Sequence, residues 1–267
     1  MASETTAEPS EHAASQYTTT SDRLAARLAI HAWNTHSEGW FSWAGSRIPK
    51  RGSVLETGAG TGQLWRESPP LAGMTKDLAL TDFSPAMCVE LRKLANEIKG
   101  VKVHVQQASA EELPFDDETF DTVVANHMLY HVDSPDAALG EFWRVLKRDG
   151  TVVVALNGMD HLDELLALGD KVGRPSTIRK QARITAETAQ EALVRNGFKD
   201  VTEERFPGHF EVGDVQPVVD YLSSLGEVGL ERGQKEVIER EVGEAMEREG
   251  GVFRVTKNMV LFTARKR

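Results

Sequence analysis

Residues 53–62 read SVLETGAGTG, and the fold turns on how this stretch is parsed. Ser53–Leu55 is a short apolar run with β-branched character and predicts a buried strand. Glu56 follows, and glycine then falls at every second position: Gly58, Gly60 and Gly62. Alternating glycines after a strand let the backbone turn sharply and bring main-chain N–H groups against a ligand where any Cβ would collide. A helix starting near Gly62 would aim its N-terminal dipole at the same ligand. The stretch predicts a nucleotide cradle. Its spacing is E-x-G-x-G-x-G rather than the G-x-G-x-x-G of dinucleotide sites. A carboxylate two positions before the first glycine would repel a pyrophosphate and suits a ligand with a positive end.

Outward from the cradle, strands and helices alternate. The segment LALTDF (78–83) predicts a second strand ending on Asp82. Ser84-Pro85 then opens a helix as N-cap and first-turn proline, with Met87, Leu91, Leu94 and Ile98 as its apolar stripe and Gly100 as its stop. KVHVQQA (102–108) predicts a third strand and Thr122–Asn126 a fourth. A helix from Ser134-Pro135 to Gly150 buries Leu139, Phe142 and Val145 or Leu146, and TVVVAL (151–156) is the fifth strand. This alternation demands a parallel sheet with helices on both faces. Beyond Asn157, HLDELLAL predicts a helix, KVGRPSTIRKQ an exposed basic loop and TAETAQEALVRNGF the helix before a sixth strand near DVTEERF. Helices over about 215–226 and 233–248 follow, and residues 253–265 read as one long antiparallel edge strand.

The chain has 267 residues, 40% hydrophobic and 27% charged, enough for one large domain with a cap. No apolar run approaches the roughly 20 residues that span a bilayer. The formal charge of −10 disfavours a nucleic-acid partner. Cys88 is the single cysteine, which excludes a disulfide framework and fits a reducing, cytoplasmic setting. Residues 1–20 are too poor in large apolar side chains to pack, and a disordered tail is expected there. Glu4, Glu8 and Glu11 without Lys or Arg argue against a targeting signal. A helical pattern begins at Ser21 or Asp22 with Leu24, Leu28 and His31 or Ala32, and an aromatic-rich segment follows: Trp33, Trp40, Phe41 and Trp43. This segment either packs on the core or forms a lid whose tryptophans enclose a ligand by stacking and cation–π attraction, and the two roles overlap. The expected organisation is thus a tail to residue 20, a helical lid to 50, a cofactor-binding core over 51–157, and a helical cap with closing strands over 158–267.

Taken together, VLETGAGTG, LTDFSPAMCVELR, ASAEELPFDDETFDTVVANHMLYHV and RVLKRDGTVVVA, spanning residues 51–157, resemble the class I S-adenosylmethionine-dependent methyltransferases. The resemblance is to their small-molecule, ubiquinone-biosynthesis-like branch (methyltransferase type 11). It implies an α/β Rossmann-like doubly wound sheet of seven strands, six parallel and the last antiparallel. It implies S-adenosyl-L-methionine as cofactor and S-adenosyl-L-homocysteine as product. Glu56 would then accept from the methionine amino group, and Gly58, Ala59, Gly60 and Gly62 would pass beneath methionine and ribose. Asp82 would take both ribose hydroxyls, and Phe83, with Met87 nearby, would pack on the adenine. Ser109 stands where the family commonly has aspartate, so the backbone of Ala110 would supply more of the adenine contact. Asn126 and His127 would line the methionine end.

Transfer from a sulfonium needs alignment of nucleophile, methyl and sulfur. An amine or hydroxyl acceptor also loses a proton, which a histidine can take near neutral pH. His127, Tyr130 and His131 are the catalytic candidates, with Tyr17, Trp33, Trp40, Trp43, His161 and His209 expected around the acceptor. No acidic cluster has metal-binding spacing, so no catalytic metal is expected. The expected reaction is methylation of a small-molecule N, O or S acceptor. Non-methyl chemistry in the same pocket, such as a cyclisation, or a regulatory binding role are the alternatives. Oligomeric state is not read from this sequence.

Overall fold

Strands β1 (Gly52–Thr57) and β4 (Phe120–Asn126) are buried along most of their length on both faces. That marks the centre of a parallel sheet covered by helices on either side. The computed structural model describes residues 26–27, 29–68, 75–175, 182–225 and 228–267. The expected tail, Tyr17, the first turn of the lid pattern with Leu24 and Leu28, and residues 176–181 of the basic loop lie outside the described residues.

In chain order the elements are a 3-10 turn (Ile30–Trp33), α1 (Trp40–Arg47), β1, α2 (Gln63–Glu67), β2 (Thr75–Asp82), α3 (Pro85–Glu97), β3 (Lys102–Gln107) and β4. A 3-10 turn (Leu129–His131), α4 (Pro135–Val145), β5 (Leu146–Asn157), α5 (Asp163–Lys171), α6 (Ala186–Arg195), β6 (Lys199–Arg205) and β7 (Phe210–Val212) follow. The chain closes with α7 (Gln216–Ser224), α8 (Arg232–Arg248), β8 (Phe253–Val255) and β9 (Met259–Arg265). The seven-stranded sheet has the order β3-β2-β1-β4-β5-β9-β6. The pairs from β3 to β5 are parallel, and β9 runs antiparallel to both β5 and β6. From β1 the chain winds first towards β3 and then back to β4, so the order reverses between β1 and β4. Ligands of such sheets bind outside the carboxyl ends of the strands at that reversal.

The local signals work as their chemistry requires. Ser84 caps α3 by accepting the Met87 N–H at 3.5 Å, and Ser134 caps α4 by accepting the Ala137 N–H at 3.2 Å, each ahead of a first-turn proline. Leu139, Phe142 and Val145 of α4 and Leu193 of α6 pack on one sheet face. Trp40 and Trp43 of α1, Leu64 and Trp65 of α2, and Leu91 and Leu94 of α3 pack on the other. A third cluster joins Ile30, Phe210, Val218, Leu222, Ile238, Val242 and Val255.

Three expectations need correction. Helix α4 stops at Val145 rather than Gly150, because Leu146 turns extended and pairs with Phe120 as the start of β5. The expected strand over 253–265 is broken into two: Phe253–Val255 pairs with β7 in a separate ribbon, and Met259–Arg265 joins the main sheet. The break is pinned, since Glu164 accepts both the N–H and the hydroxyl of Thr256 at 2.7 Å. Finally, β9 is interior and β6 is the edge, which suits the continuous apolar run MVLF and the exposed side chains of KDVTEER. Among the described residues, no helix is long and apolar enough to cross a membrane.

Candidate active site

All three cradle glycines adopt left-handed backbone, with φ of 63°, 57° and 76° at Gly58, Gly60 and Gly62. A Cβ at Gly62 would lie 2.2 Å from Leu94 Cδ2, so this glycine sets how closely α2 approaches α3. At Gly60 a Cβ would meet no protein atom within 4 Å. It would instead project into a cavity of about 300 Å³ at the carboxyl ends of β2, β1 and β4. Helix α2 has five residues, too short for the macrodipole expected of it.

At the β2 side, Asp82 is gripped by its own surroundings. One oxygen accepts the Gly60 N–H at 2.9 Å and the other the Ser84 N–H at 2.8 Å. Burial raises its carboxyl above the usual range, against these two bonds. A carboxylate offers about four lone-pair sites, so two stay available towards the cavity. Phe83 is exposed at the rim, an apolar side chain without cover on that side. Ser109 and Ala110, just past the end of β3 beside Asp82, also line the cavity, the Ser109 hydroxyl accepting the Glu111 N–H at 3.2 Å.

Beneath the cradle, Glu56 is 1% exposed and accepts the Trp65 indole N–H. Burial pushes its carboxyl up to about 8; the indole bond opposes this and the charge of Asp82 adds to it. Thr57, which lines the cavity, has a buried hydroxyl without a partner.

At the β4 side stands His127, with left-handed backbone (φ 54°). Its ring lines the cavity, yet both ring nitrogens are closed off from solvent and have no hydrogen-bond partner. Burial, with smaller effects from His31, Lys257 and His131, lowers the imidazole to about 3, so it is neutral at physiological pH. His131 lines the same cavity and stacks edge-on against Tyr130 at 4.5 Å. The Trp40 ring lies 4.8 Å from His127, and its indole N–H donates to Asn126 Oδ1 at 3.1 Å. Helix α1 is thereby tied to the tip of β4.

The structure brings Gly58, Gly60, Asp82, Phe83, Ser109, Ala110, His127 and His131 to one cavity. Other candidates sit elsewhere. Asn126 is engaged by Trp40, and Met87 serves the α3 cap. Trp43 is a core residue under Arg47, and Trp33 packs beside Gly213. His161 accepts the Asn258 N–H at 3.2 Å, and His209 pairs with Glu211 at 3.1 Å. Glu111 was not singled out in the sequence. It lines the cavity while accepting the backbone N–H groups of Asp133 (3.3 Å) and Ser134 (2.8 Å), a link that no local spacing announces.

An open cradle at Gly60, an orphaned histidine, an unpaired threonine hydroxyl and a preset carboxylate fit a nucleoside ligand with a polar, positively charged tail. A family model described as a methyltransferase domain matches residues 55–154. The chain is 30% identical over 195 residues to the ubiquinone/menaquinone biosynthesis C-methyltransferase UbiE of Vibrio cholerae, covering 72% of this chain and 74% of that one. Among solved structures it resembles the [4+2]-cyclase SpnF, at a TM-score of 0.58 and 18% identity over 97% of both chains. It also resembles a Haemonchus contortus phosphoethanolamine N-methyltransferase solved with S-adenosylhomocysteine, at a TM-score of 0.59 and 17% identity. That likeness covers 98% of this chain and 61% of the other. Identities this low show the shared fold alone. Fold, cradle and relatives together define a class I methyltransferase. The chain belongs to the S-adenosylmethionine-dependent methyltransferase family, on the UbiE-like side, and uses S-adenosylmethionine as its cofactor.

Proposed function

We propose that this enzyme methylates a small-molecule acceptor held at the β4 end of the cavity. The observation that carries the reading is His127, a cavity-lining residue at the tip of β4 whose two buried ring nitrogens have no hydrogen-bond partner. Unpaired buried polar atoms are unfavourable by roughly 1–3 kcal/mol each, and a bound ligand that supplies the missing bonds relieves this. Nitrogen, oxygen and sulfur acceptors remain open, and the C-methyltransferase relatives add carbon. The negative total charge supports a small molecule over nucleic acid, and the lone cysteine supports a cytoplasmic setting.

In this reading the cofactor supplies an activated methyl on a sulfonium. The residues of the chain do the rest. Asp82, fixed by two backbone N–H groups, accepts from the ribose hydroxyls, and Phe83 covers the adenine. Glu56 faces the amino end. His127, held neutral by its burial, accepts a hydrogen bond from the acceptor and orients it. His131 takes the acceptor's proton where there is one to lose. Trp40 holds the β4 tip through Asn126 and shields His127 from water.

Incubating the protein with methyl-labelled S-adenosylmethionine and a metabolite panel, read by mass for the gain of one methyl, tests the reading. Methyl transfer to one or more members supports it. Cofactor binding with conversion of an acceptor that gains no methyl would instead favour a cyclase-like use of the pocket. His131→Gln should remove a pH–rate limb that wild type shows. His127→Gln should lower turnover while leaving that limb in place.

A further inference from the structure

Lys257, in the link between β8 and β9, is 5% exposed, and the roles above do not use it. Its ammonium donates to Asn34 Oδ1 at 3.0 Å and lies over the Phe206 and Phe210 rings, 4.0 and 4.9 Å from their centroids. Among the described residues it forms no ion pair, although the chain holds 41 acidic side chains against 31 basic ones. Burying an ammonium without a counter-charge is unfavourable. Two aromatic faces and one neutral amide oxygen offset only part of that. An ammonium has three donors, and a single one meets a lone pair here.

The setting points to the acceptor side of the active site. Phe206 stands edge-on to Trp40 at 5.7 Å, and Trp40 lies 4.8 Å from His127. The positive charge of Lys257 is also among the influences holding the His127 imidazole down, so the two groups lie within electrostatic reach. His31, edge-on to Phe210 at 5.3 Å, is exposed, and Asn34 is half-buried, so the side of Lys257 that they cover is the one nearest the surface. The Asn34 carbonyl is a neutral acceptor that an anion can displace.

We propose that Lys257 is the anion-binding residue of the acceptor site, so that the acceptor is a small flat molecule bearing an anionic oxygen, a carboxylate or an ionised phenol. This rests on the small-molecule reading above and narrows it. The aromatic walls select a flat body, the lysine selects its charge, and His127 meets the end to be methylated.

The test uses the full chain loaded with S-adenosylhomocysteine and two pairs of isosteric probes, followed by calorimetry. Benzoate against benzamide forms the carboxylate arm, and 4-nitrophenolate against 4-nitroaniline the phenolate arm. At least one anion should bind about 10-fold or more tighter than its neutral partner, as a charge-assisted bond implies. The arm that responds identifies the source of the charge. Lys257→Met should abolish the preference, and Lys257→Arg should keep most of it. Without probe, Lys257→Met should melt no lower than wild type, because it removes an uncompensated buried charge. Where Lys257→Met folds poorly, Lys257→Gln, which keeps a donor for Asn34 without the charge, takes its place. Absence of anion preference in both arms, including failure of all four probes to bind at millimolar concentration, overturns the proposal. So does a preference that survives loss of the lysine charge. The two readings separate in the same titrations. Failure of wild type to bind S-adenosylhomocysteine counts against the methyl-transfer site itself, whereas cofactor binding without anion preference removes only the role of Lys257.

Discussion

Glu56 is the residue whose ionisation should couple folding to cofactor binding if it meets the cofactor's amino group as proposed. Its carboxyl is buried beneath the glycine loop and titrates at about 8, against 4.5 for a free glutamate. Between those two values the unfolded chain has released a proton that the folded chain still holds. Stability of the ligand-free protein therefore falls as pH rises from about 4.5 to about 8, and levels off above that. At roughly 1.4 kcal/mol per pH unit, the 2.5 units from 4.5 to pH 7 set an upper bound of about 3.4 kcal/mol on the loss. Glu56→Gln keeps a carbonyl oxygen for the Trp65 indole but cannot titrate, so its stability should be flat across this window and exceed that of wild type at neutral pH. The proposed contact with the cofactor's cationic amino group favours the ionised carboxylate. Binding below pH 8 then expels a proton, and the dissociation constant for S-adenosylhomocysteine should tighten by up to about tenfold per pH unit as 8 is approached. Calorimetry in buffers of different ionisation enthalpy counts that proton directly. At pH 8 the glutamine variant should bind about 10-fold weaker, since charge-assisted bonds are roughly twice as strong as neutral ones. At pH 6 the gap should shrink. If wild type and variant share one pH dependence and release no proton, the placement of Glu56 against the ligand is wrong.

Asp82→Asn leaves the N–H of Gly60 or Ser84 facing an amide NH2 and weakens one ribose contact. Its affinity for S-adenosylhomocysteine should fall roughly 5- to 150-fold, and unchanged affinity in a folded variant would remove Asp82 from the site. Gly62→Ala forces a Cβ to within 2.2 Å of Leu94 at a left-handed φ. It should lower stability by roughly 1–3 kcal/mol in denaturant titration, part of which Leu94→Ala in the same chain should not restore, because the backbone strain stays. Trp40→Phe keeps a ring against His127 but loses the bond to Asn126. It should destabilise by about 1 kcal/mol and lower turnover more than cofactor affinity; equal turnover would make α1 mere packing.

The cradle half of the candidate site is legible along the chain because its determinants are local. The glycines, Glu56 and Asp82 sit at strand tips that β-propensity and turn chemistry mark within a few residues, and Ser84-Pro85 and Ser134-Pro135 announce their helices in the same way. What could not be read is what distant segments do to one another. Trp40 meets Asn126 across 86 positions, and Asn34 meets Lys257 across 223. The strand expected over 253–265 failed for a related reason: its alternation is real, but Glu164, far away in sequence, seizes Thr256 and turns one strand into two. Nor does any local pattern tell β9 that β6 will lie outside it, beyond the MVLF run that suits an interior place.

This division has a functional reason. The cradle, in the proposed reading, would meet the cofactor, the part of the ligand set shared across the family, and it can be built from one strand-turn-helix unit because backbone N–H groups and one carboxylate suffice. The acceptor side has to distinguish molecules, which needs side chains converging from several directions. In the proposed acceptor site, beside His127 and His131, they would come from the N-terminal turn (His31, Asn34), from α1 (Trp40), from the β6–β7 region (Phe206, Phe210) and from the β8–β9 link (Lys257). Each of these segments lies outside residues 55–154, where the family model matches. Substitutions at the cradle should therefore change affinity for cofactor with any acceptor, while substitutions around Lys257 should change which acceptor is used and leave cofactor affinity intact. Measuring S-adenosylhomocysteine binding beside acceptor preference in Asp82→Asn and Lys257→Met separates the two. A Lys257 variant that loses cofactor affinity as severely as the Asp82 variant would mean that the two halves act as one site.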